Sequence, residues 1–168
     1  MVKNSKNMNN ILYIIPGWED STSGETYQKL GKVAEEKGYT VIYKDVDWKK
    51  PLSEQVFTVE KDAVIFGFSL GAVLAWLIAQ KHECRLLILA SMTPHTSFVD
   101  AEIKQALIDL TGSEFTEDAI RHLTPSHKAQ KQILMYGDQE GEPANILVPN
   151  TEHEITDAYI EEIQKLLP

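Results

Sequence analysis

One serine lies between two glycines in an otherwise apolar stretch of the chain, AVIFGFSLGAVLAWLI, which runs from Ala63 to Ile78. The apolar run before the serine has the length of a buried strand, and the run from Leu70 to Gln80 has the length of a helix. A chain that passes directly from a buried strand into a buried helix has to turn sharply, and Gly67 and Gly71 allow the two backbones to approach each other. The stretch therefore predicts a strand, a tight turn and a helix, with Ser69 lifted above the carboxyl end of the strand.

Short β-branched runs and helical patterns alternate along the rest of the chain. Further strands are predicted at ILYIIP, YTVIYKDV, RLLILAS, KQILMYG and NILVPN. A helix is predicted at STSGETYQKLGKVAEEKG, with a capping box at Thr22 and Glu25 and an end at Gly38. A short helix is predicted after Pro51, and a terminal one at ITDAYIEEIQKLL. Because parallel strands need crossover connections, the alternation predicts a three-layer α/β/α sandwich with a mostly parallel sheet.

The whole chain, residues 1–168, is expected to form one domain. Residues 92–128 do not continue the alternation of strand and helix patterns. They carry two helical patterns, FVDAEIKQALIDL and TEDAIRHL, and no strand pattern. We expect this stretch to be a small, cap-like helical excursion that lies over one end of the sheet.

Charge and composition exclude several classes of partner. Lysine and arginine number 16 against 25 acidic residues, and the net charge of -9 repels phosphate backbones and anionic lipid. We therefore expect no nucleic-acid and no membrane partner. The polar start of the chain lacks the apolar core of a signal peptide, which favours a cytoplasmic protein. Cys84 has no second cysteine to pair with and no neighbour at metal-ligand spacing, so it is predicted to be a structural thiol.

The strand, the Gly67-Phe68-Ser69-Leu70-Gly71 turn and the helix together resemble the nucleophile elbow of the α/β-hydrolase superfamily. The chain lacks both the Gly-Lys-Ser/Thr ending of a phosphate-binding loop and the Gly-x-Gly-x-x-Gly dinucleotide fingerprint, so nucleotide binding is disfavoured. The resemblance implies the minimal α/β-hydrolase fold, with Ser69 as nucleophile. It also implies that the N–H of Leu70, at the start of a helix, forms part of an oxyanion hole.

Such a serine needs a histidine base and an acid, in the chain order serine, acid, histidine. His153, in VPNTEHEI, follows the last strand pattern and resembles the histidine loop of the family. His82 is expected at the wrong end of the sheet. The remaining histidines fall in the excursion and are expected to be exposed or to pack against the cap: His95, His122 and His127.

The acid is expected directly after the strand pattern KQILMYG. The sequence GDQE from Gly137 resembles the Gly-Asp-x-Asp pattern of the family, with Glu140 in the place of the acid and Asp138 as the alternate. Too few residues separate Glu140 from His153 for the helix that usually intervenes, so a short loop or a hairpin is expected there.

The loop after the first strand reads Pro16-Gly17-Trp18, where family members often carry His-Gly-x. By position, the Trp18 N–H matches the second oxyanion donor, and Gly17 would permit close backbone approach. The Trp18 ring could wall an acyl pocket or serve packing alone. Both residues are therefore candidates for substrate binding.

The resemblance implies a serine hydrolase that cleaves a small carboxylic ester or thioester through an acyl-enzyme, with no metal or cofactor. The expected partner is then the small-molecule ester or thioester itself. A second hypothesis is a non-catalytic binding protein that has kept the α/β-hydrolase fold. The complete order of serine, acid and histidine favours the enzyme, because a binding protein has no need of it.

Overall fold

A computed structural model describes residues 10–92 and 100–168 of the chain. Residues 93–99 of the excursion, which include His95, lie outside these ranges. In the described part, six strands form one sheet in the order β2-β1-β3-β4-β5-β6, and every neighbouring pair is parallel. The elements are, in chain order, β1 (Ile11–Ile15), α1 (Glu25–Glu36), β2 (Thr40–Tyr43), a 3₁₀ helix (Leu52–Gln55), β3 (Val64–Phe68), α2 (Leu70–Lys81), β4 (Cys84–Ala90), α3 (Ala101–Thr111), α4 (Ser113–His122), β5 (Ala129–Gly137), β6 (Ile146–Val148) and α5 (Asp157–Leu166).

The sheet is covered on both faces, which confirms the predicted three-layer architecture. Successive side chains of β1 point to opposite faces, so Leu12 packs with α1 and α5 while Tyr13 packs with α2. Each face has its own apolar cluster, and β1 and β3 are buried at every position. This burial explains the continuous apolar runs in the sequence, because a central parallel strand has no solvent-facing side.

Helix α4 of the excursion packs on the α2 side of the sheet, against α2 and the 3₁₀ helix. Its Phe115 and Ala119 are buried in the same apolar cluster as α2. Helix α3 has no buried residue among those described and lies against α4. The Phe115 ring reaches Trp18 just beyond the carboxyl end of β1, with ring centroids 5.8 Å apart.

One local expectation needs correction, and one open alternative is resolved. The capping box at Thr22 and Glu25 is wrong: the backbone turns between Ser21 and Gly24, the Thr22 N–H donates to Asp45, and α1 starts at Glu25 without a side-chain cap. Of the loop and the hairpin expected between the last two strands, the structure has the loop, since β5 and β6 are parallel. Within the described ranges, no helix combines the length and the apolar character needed to cross a membrane.

All the carboxyl ends of these parallel strands meet at one edge of the sheet, where ligands bind in folds of this class. The residues that follow β1, β3, β4, β5 and β6 at this edge include Gly17, Ser69, Ser91, Glu140 and His153.

Candidate active site

Ser69 occupies a strained turn between β3 and α2. Its backbone angles are φ 54° and ψ -123°, in a region that non-glycine residues rarely adopt. A Cβ at Gly67 would collide with the backbone of Gly71 and Ala72, and a Cβ at Gly71 would overlap the carbonyl oxygen of Pro16. The glycines are therefore required by close packing of strand, helix and the loop after β1, and this packing holds the serine out of the core.

Ser69, His153 and Glu140 form one chain of hydrogen bonds. The Ser69 Oγ lies 2.9 Å from His153 Nε2, and His153 Nδ1 lies 2.8 Å from Glu140 Oε1. Since a carboxylate only accepts hydrogen bonds, the proton of the neutral imidazole sits on Nδ1, and Nε2 presents its lone pair to the serine hydroxyl. Half of the His153 side chain is exposed, whereas that of Glu140 is 11% exposed. The arrangement can remove a proton from Ser69 while leaving the imidazole open to solvent.

Both oxygens of the Glu140 carboxylate are held. Oε1 faces His153, and Oε2 accepts from the Gly137 N–H at 2.7 Å and from the Ser91 hydroxyl at 2.6 Å. Ser91 in turn lies 2.8 Å from the Tyr159 hydroxyl of α5. The position of Ser91 directly after a strand pattern marks it in the sequence as a residue at the ligand-binding edge of the sheet, but sequence reasoning assigns it no contact with the acid. Nothing local in the sequence singles out Tyr159.

Asp138, the alternate acid, takes a different direction. Its side chain is exposed and its Oδ1 accepts from the Thr151 N–H at 3.2 Å, which ties the acid loop to the histidine loop. Of the two carboxylates in the loop, Glu140 is the one hydrogen-bonded to His153.

The other described histidines lie elsewhere in the fold. His122 Nδ1 contacts the carbonyl oxygen of Asp118, His127 bonds the side chain of Gln132, and His82 ends α2.

The loop after β1 is held by a buried tyrosine. The Gly17 N–H donates to the Tyr27 hydroxyl at 2.9 Å, that hydroxyl donates to Asp20 at 2.8 Å, and the Asp20 N–H closes a turn onto the Gly17 carbonyl. Burial raises the pKa of Tyr27 well above its ordinary value, so the phenol stays protonated. The Gly17 N–H is thus engaged with Tyr27, and the next amide available to an oxyanion in this loop is that of Trp18.

Leu70 is the first residue of α2, and its N–H is one of the helix-terminal amides that have no acceptor within the helix. The overlap that a side chain at Gly71 would make with Pro16 shows how closely the start of α2 approaches the loop of Trp18. The structure therefore brings the segments that carry both predicted oxyanion donors close together. The Trp18 ring packs edge-on against Trp48, with ring centroids 5.1 Å apart, and against Phe115.

A polar cleft of about 490 Å³ is lined in part by His153. Its charged lining side chains are acidic, Asp20 and Glu154, and the rings of Tyr27 and Phe68 contribute to its wall. Among the described residues, no group of three or more histidine, cysteine, aspartate and glutamate side chains is placed to hold a metal ion. Cys84 is buried, and burial raises the pKa of its thiol to about 11, which suits the inert role predicted for it.

Comparisons with known proteins connect the chain to others through structure and not through sequence. No family model matches the chain, and a search of curated proteins finds no match. Among solved structures, the "Alpha/beta hydrolase domain-containing protein 10 from mouse" superimposes with a TM-score of 0.67 at 14% identity, over 95% of this chain and 88% of that one. A protein described as "Putative hydrolase from Agrobacterium vitis S4" gives a TM-score of 0.65 at 11% identity, over 94% of this chain and 86% of the other. At these identities the likeness shows the fold.

Proposed function

We propose that this chain, which has the α/β-hydrolase fold, is a serine hydrolase that cleaves a small carboxylic ester or thioester. The observation that carries the proposal is the unbroken hydrogen-bond chain from Ser69 through His153 to Glu140, placed at a strained elbow. A structural serine has no need of a base that is itself oriented by a carboxylate. The solved structures of the same fold support hydrolysis as the general class of reaction.

In the first half of the reaction, Ser69 Oγ attacks the carbonyl carbon while His153 Nε2 takes the hydroxyl proton. Glu140 holds the imidazole in the required tautomer and stabilises the imidazolium that forms. The N–H groups of Leu70 and Trp18 are the proposed donors to the tetrahedral oxyanion, and the positive end of α2 favours the same charge. When the oxyanion collapses, the bond to the leaving alcohol or thiol breaks and that group takes the proton from His153.

In the second half, a water molecule reaches the acyl-enzyme from the open side of His153. The imidazole takes one proton from the water, the hydroxide attacks the acyl carbon, and His153 returns the proton to Ser69 as the acid product leaves. Every proton passes through His153, so these steps require no metal and no cofactor. The substrate is the only partner that the proposal invokes, and we propose the cytoplasm as its place of action.

Labelling with a fluorophosphonate probe tests the nucleophile directly. Wild-type protein is expected to be labelled, and Ser69→Ala and His153→Ala are expected to lose labelling while keeping their folded circular-dichroism spectra and melting temperatures. An absence of labelling in folded wild type would overturn the proposal and favour a binding protein of this fold.

Substrate chemistry is tested with p-nitrophenyl esters of increasing acyl length and with matched thioesters. The aromatic rings of Trp18, Trp48 and Phe115 pack together in the apolar cluster of the α2 face, whereas the Tyr27 and Phe68 rings of the polar cleft belong to the cluster of the other face. Because the first group adjoins the proposed oxyanion donor at Trp18, we expect kcat/KM to depend on acyl length. If the probe labels the protein but the protein hydrolyses none of these esters, the proposed substrate class is wrong and the assignment of the nucleophile stands.

A further inference from the structure

We propose that Ser91 and Tyr159 are positioning residues, which act through Glu140 by forming a buried relay of hydroxyl groups that orients its carboxylate toward His153. The inference rests on the proposed function, in which Glu140 is the acid. It adds two side chains that touch neither substrate nor nucleophile.

The first link is the contact between Ser91 and Glu140. Ser91 is 1% exposed, and its Oγ lies 2.6 Å from Glu140 Oε2. Since the carboxylate can only accept, the single hydroxyl proton of Ser91 points at Glu140. Such a short bond to a charged acceptor is among the stronger hydrogen bonds of proteins, and its removal would leave a poorly solvated carboxylate oxygen with the Gly137 N–H as its remaining donor.

The second link follows from the direction of the first. Because Ser91 donates to Glu140, the Tyr159 hydroxyl is the donor in the 2.8 Å contact with Ser91. The Met135 carbonyl lies 3.2 Å from the same hydroxyl and is the longer, weaker second acceptor for its one proton. Tyr159 is fully buried, and burial raises its pKa to about 12, so the phenol keeps its proton across the physiological range. The relay therefore runs Tyr159 to Ser91 to Glu140, with every hydroxyl aligned toward the carboxylate, an arrangement in which each bond polarises the next.

The backbone at Ser91 indicates that the relay is built for this purpose. Ser91 has φ 46°, a left-handed conformation that glycine would adopt at lower cost. Its N–H is fixed by a 2.7 Å bond to the Met135 carbonyl, so the side chain projects from a rigid strand end. A residue needed only to turn the chain would gain nothing from a hydroxyl aimed at Glu140.

A double-mutant cycle separates this role from a merely structural one. Ser91→Ala is expected to lower kcat and the labelling rate constant about tenfold, with KM unchanged within about twofold, because a misdirected acid weakens the base and not substrate binding. In a Glu140→Gln background the same change is expected to have no further effect. Equal losses in the two backgrounds would overturn the proposal.

Tyr159→Phe provides the second variant and carries the test if Ser91→Ala does not fold. It removes the relay hydroxyl but keeps the ring that packs edge-on against Phe68, and a loss of about threefold in kcat is expected. Tyr13→Phe is the matched control, since the buried Tyr13 also bonds a carboxylate, that of Glu60, on the opposite face of the sheet. An equal effect of the two substitutions would contradict the relay.

Nitrogen-15 NMR of the His153 imidazole gives a readout that needs no turnover. In wild type, the shifts are expected to report a proton on Nδ1, and in Ser91→Ala a mixture of tautomers. A tautomer that is unchanged in Ser91→Ala would overturn the positioning role. A different result would overturn the proposed function and leave the positioning role intact. In that case the wild type shows the Nδ1 tautomer and Ser91→Ala loses it, but the probe does not label the wild type.

Discussion

The nucleophile side and the acid side of the candidate site are built in different ways. Ser69 is set by its immediate neighbours, because the glycines two residues before and after it create the turn. Glu140 is set by partners distant in the chain: Ser91 lies 49 positions away, and Tyr159 lies 68 positions from Ser91. One side is a local motif, and the other is an assembly of loop ends and a helix.

This difference has energetic consequences. A substitution in the local motif causes steric overlap that the surrounding backbone cannot relieve, so it lowers the stability of the fold. A long-range assembly fails through lost hydrogen bonds, which leave the fold in place and change the direction of a side chain. Substitutions on the two sides are therefore expected to differ in kind, the first in stability and the second in rate.

Gly71→Ala is expected to produce the largest effect. The added Cβ would overlap the Pro16 carbonyl, so α2 and the loop after β1 cannot both keep their positions. A loss of about 3 kcal/mol or more in the free energy of unfolding is expected from forced overpacking, together with loss of probe labelling. Urea unfolding followed by fluorescence measures the first quantity.

Gly38→Ala is the control for this comparison. Gly38 has φ 86° and open space around its missing side chain, so the substitution costs only backbone strain, about 1 to 2 kcal/mol. A Gly71→Ala protein no less stable than Gly38→Ala, and still labelled, would show that the elbow does not depend on its local packing.

Glu140→Gln comes second and acts on rate. The amide keeps the size of the side chain but removes the charge that stabilises an imidazolium, so kcat is expected to fall on the order of 10³- to 10⁴-fold with little change in melting temperature. Asp138→Asn is the matched control in the same loop, because its exposed carboxylate bonds only the Thr151 amide among the described residues, and turnover is expected to stay within about twofold. The reverse order of effects would move the acid to Asp138.

The sequence predicts the two sides unequally, for the same physical reason. The elbow could be located because its sequence signal lies within five consecutive residues, and the parallel sheet because its strands are continuous apolar runs. The sequence ranks Glu140 above Asp138 only by its place in the family pattern, because both belong to one turn and their different directions depend on contacts such as those from Ser91 and Gly137. The capping box failed likewise, since Asp45 from another loop takes the Thr22 N–H.

Glu140→Asp sharpens the comparison further by keeping the charge and moving it. The glutamate side chain reaches His153 with one carboxylate oxygen and Ser91 with the other. An aspartate at the same backbone position is shorter by one methylene and cannot keep both contacts. A fall in kcat of about 10²-fold is expected, since a displacement near 1 Å of a catalytic group has an effect of that order. Activity close to wild type would show that the two-sided hold on the carboxylate is dispensable.

Tyr27→Phe is expected to have the smallest effect, and it tests whether the nucleophile side is as local as it looks. The Tyr27 hydroxyl is a long-range tie on the oxyanion loop, but it bonds the Gly17 N–H and not the proposed donor at Trp18, so kcat is expected to fall only about threefold. Binding of a trifluoromethyl ketone, whose adduct places an oxyanion in the site, should weaken by the same factor while ester KM stays constant. A loss as large as that of Glu140→Asp would mean that both sides depend on distant partners, and that the contrast between them lies only in the turn at Ser69.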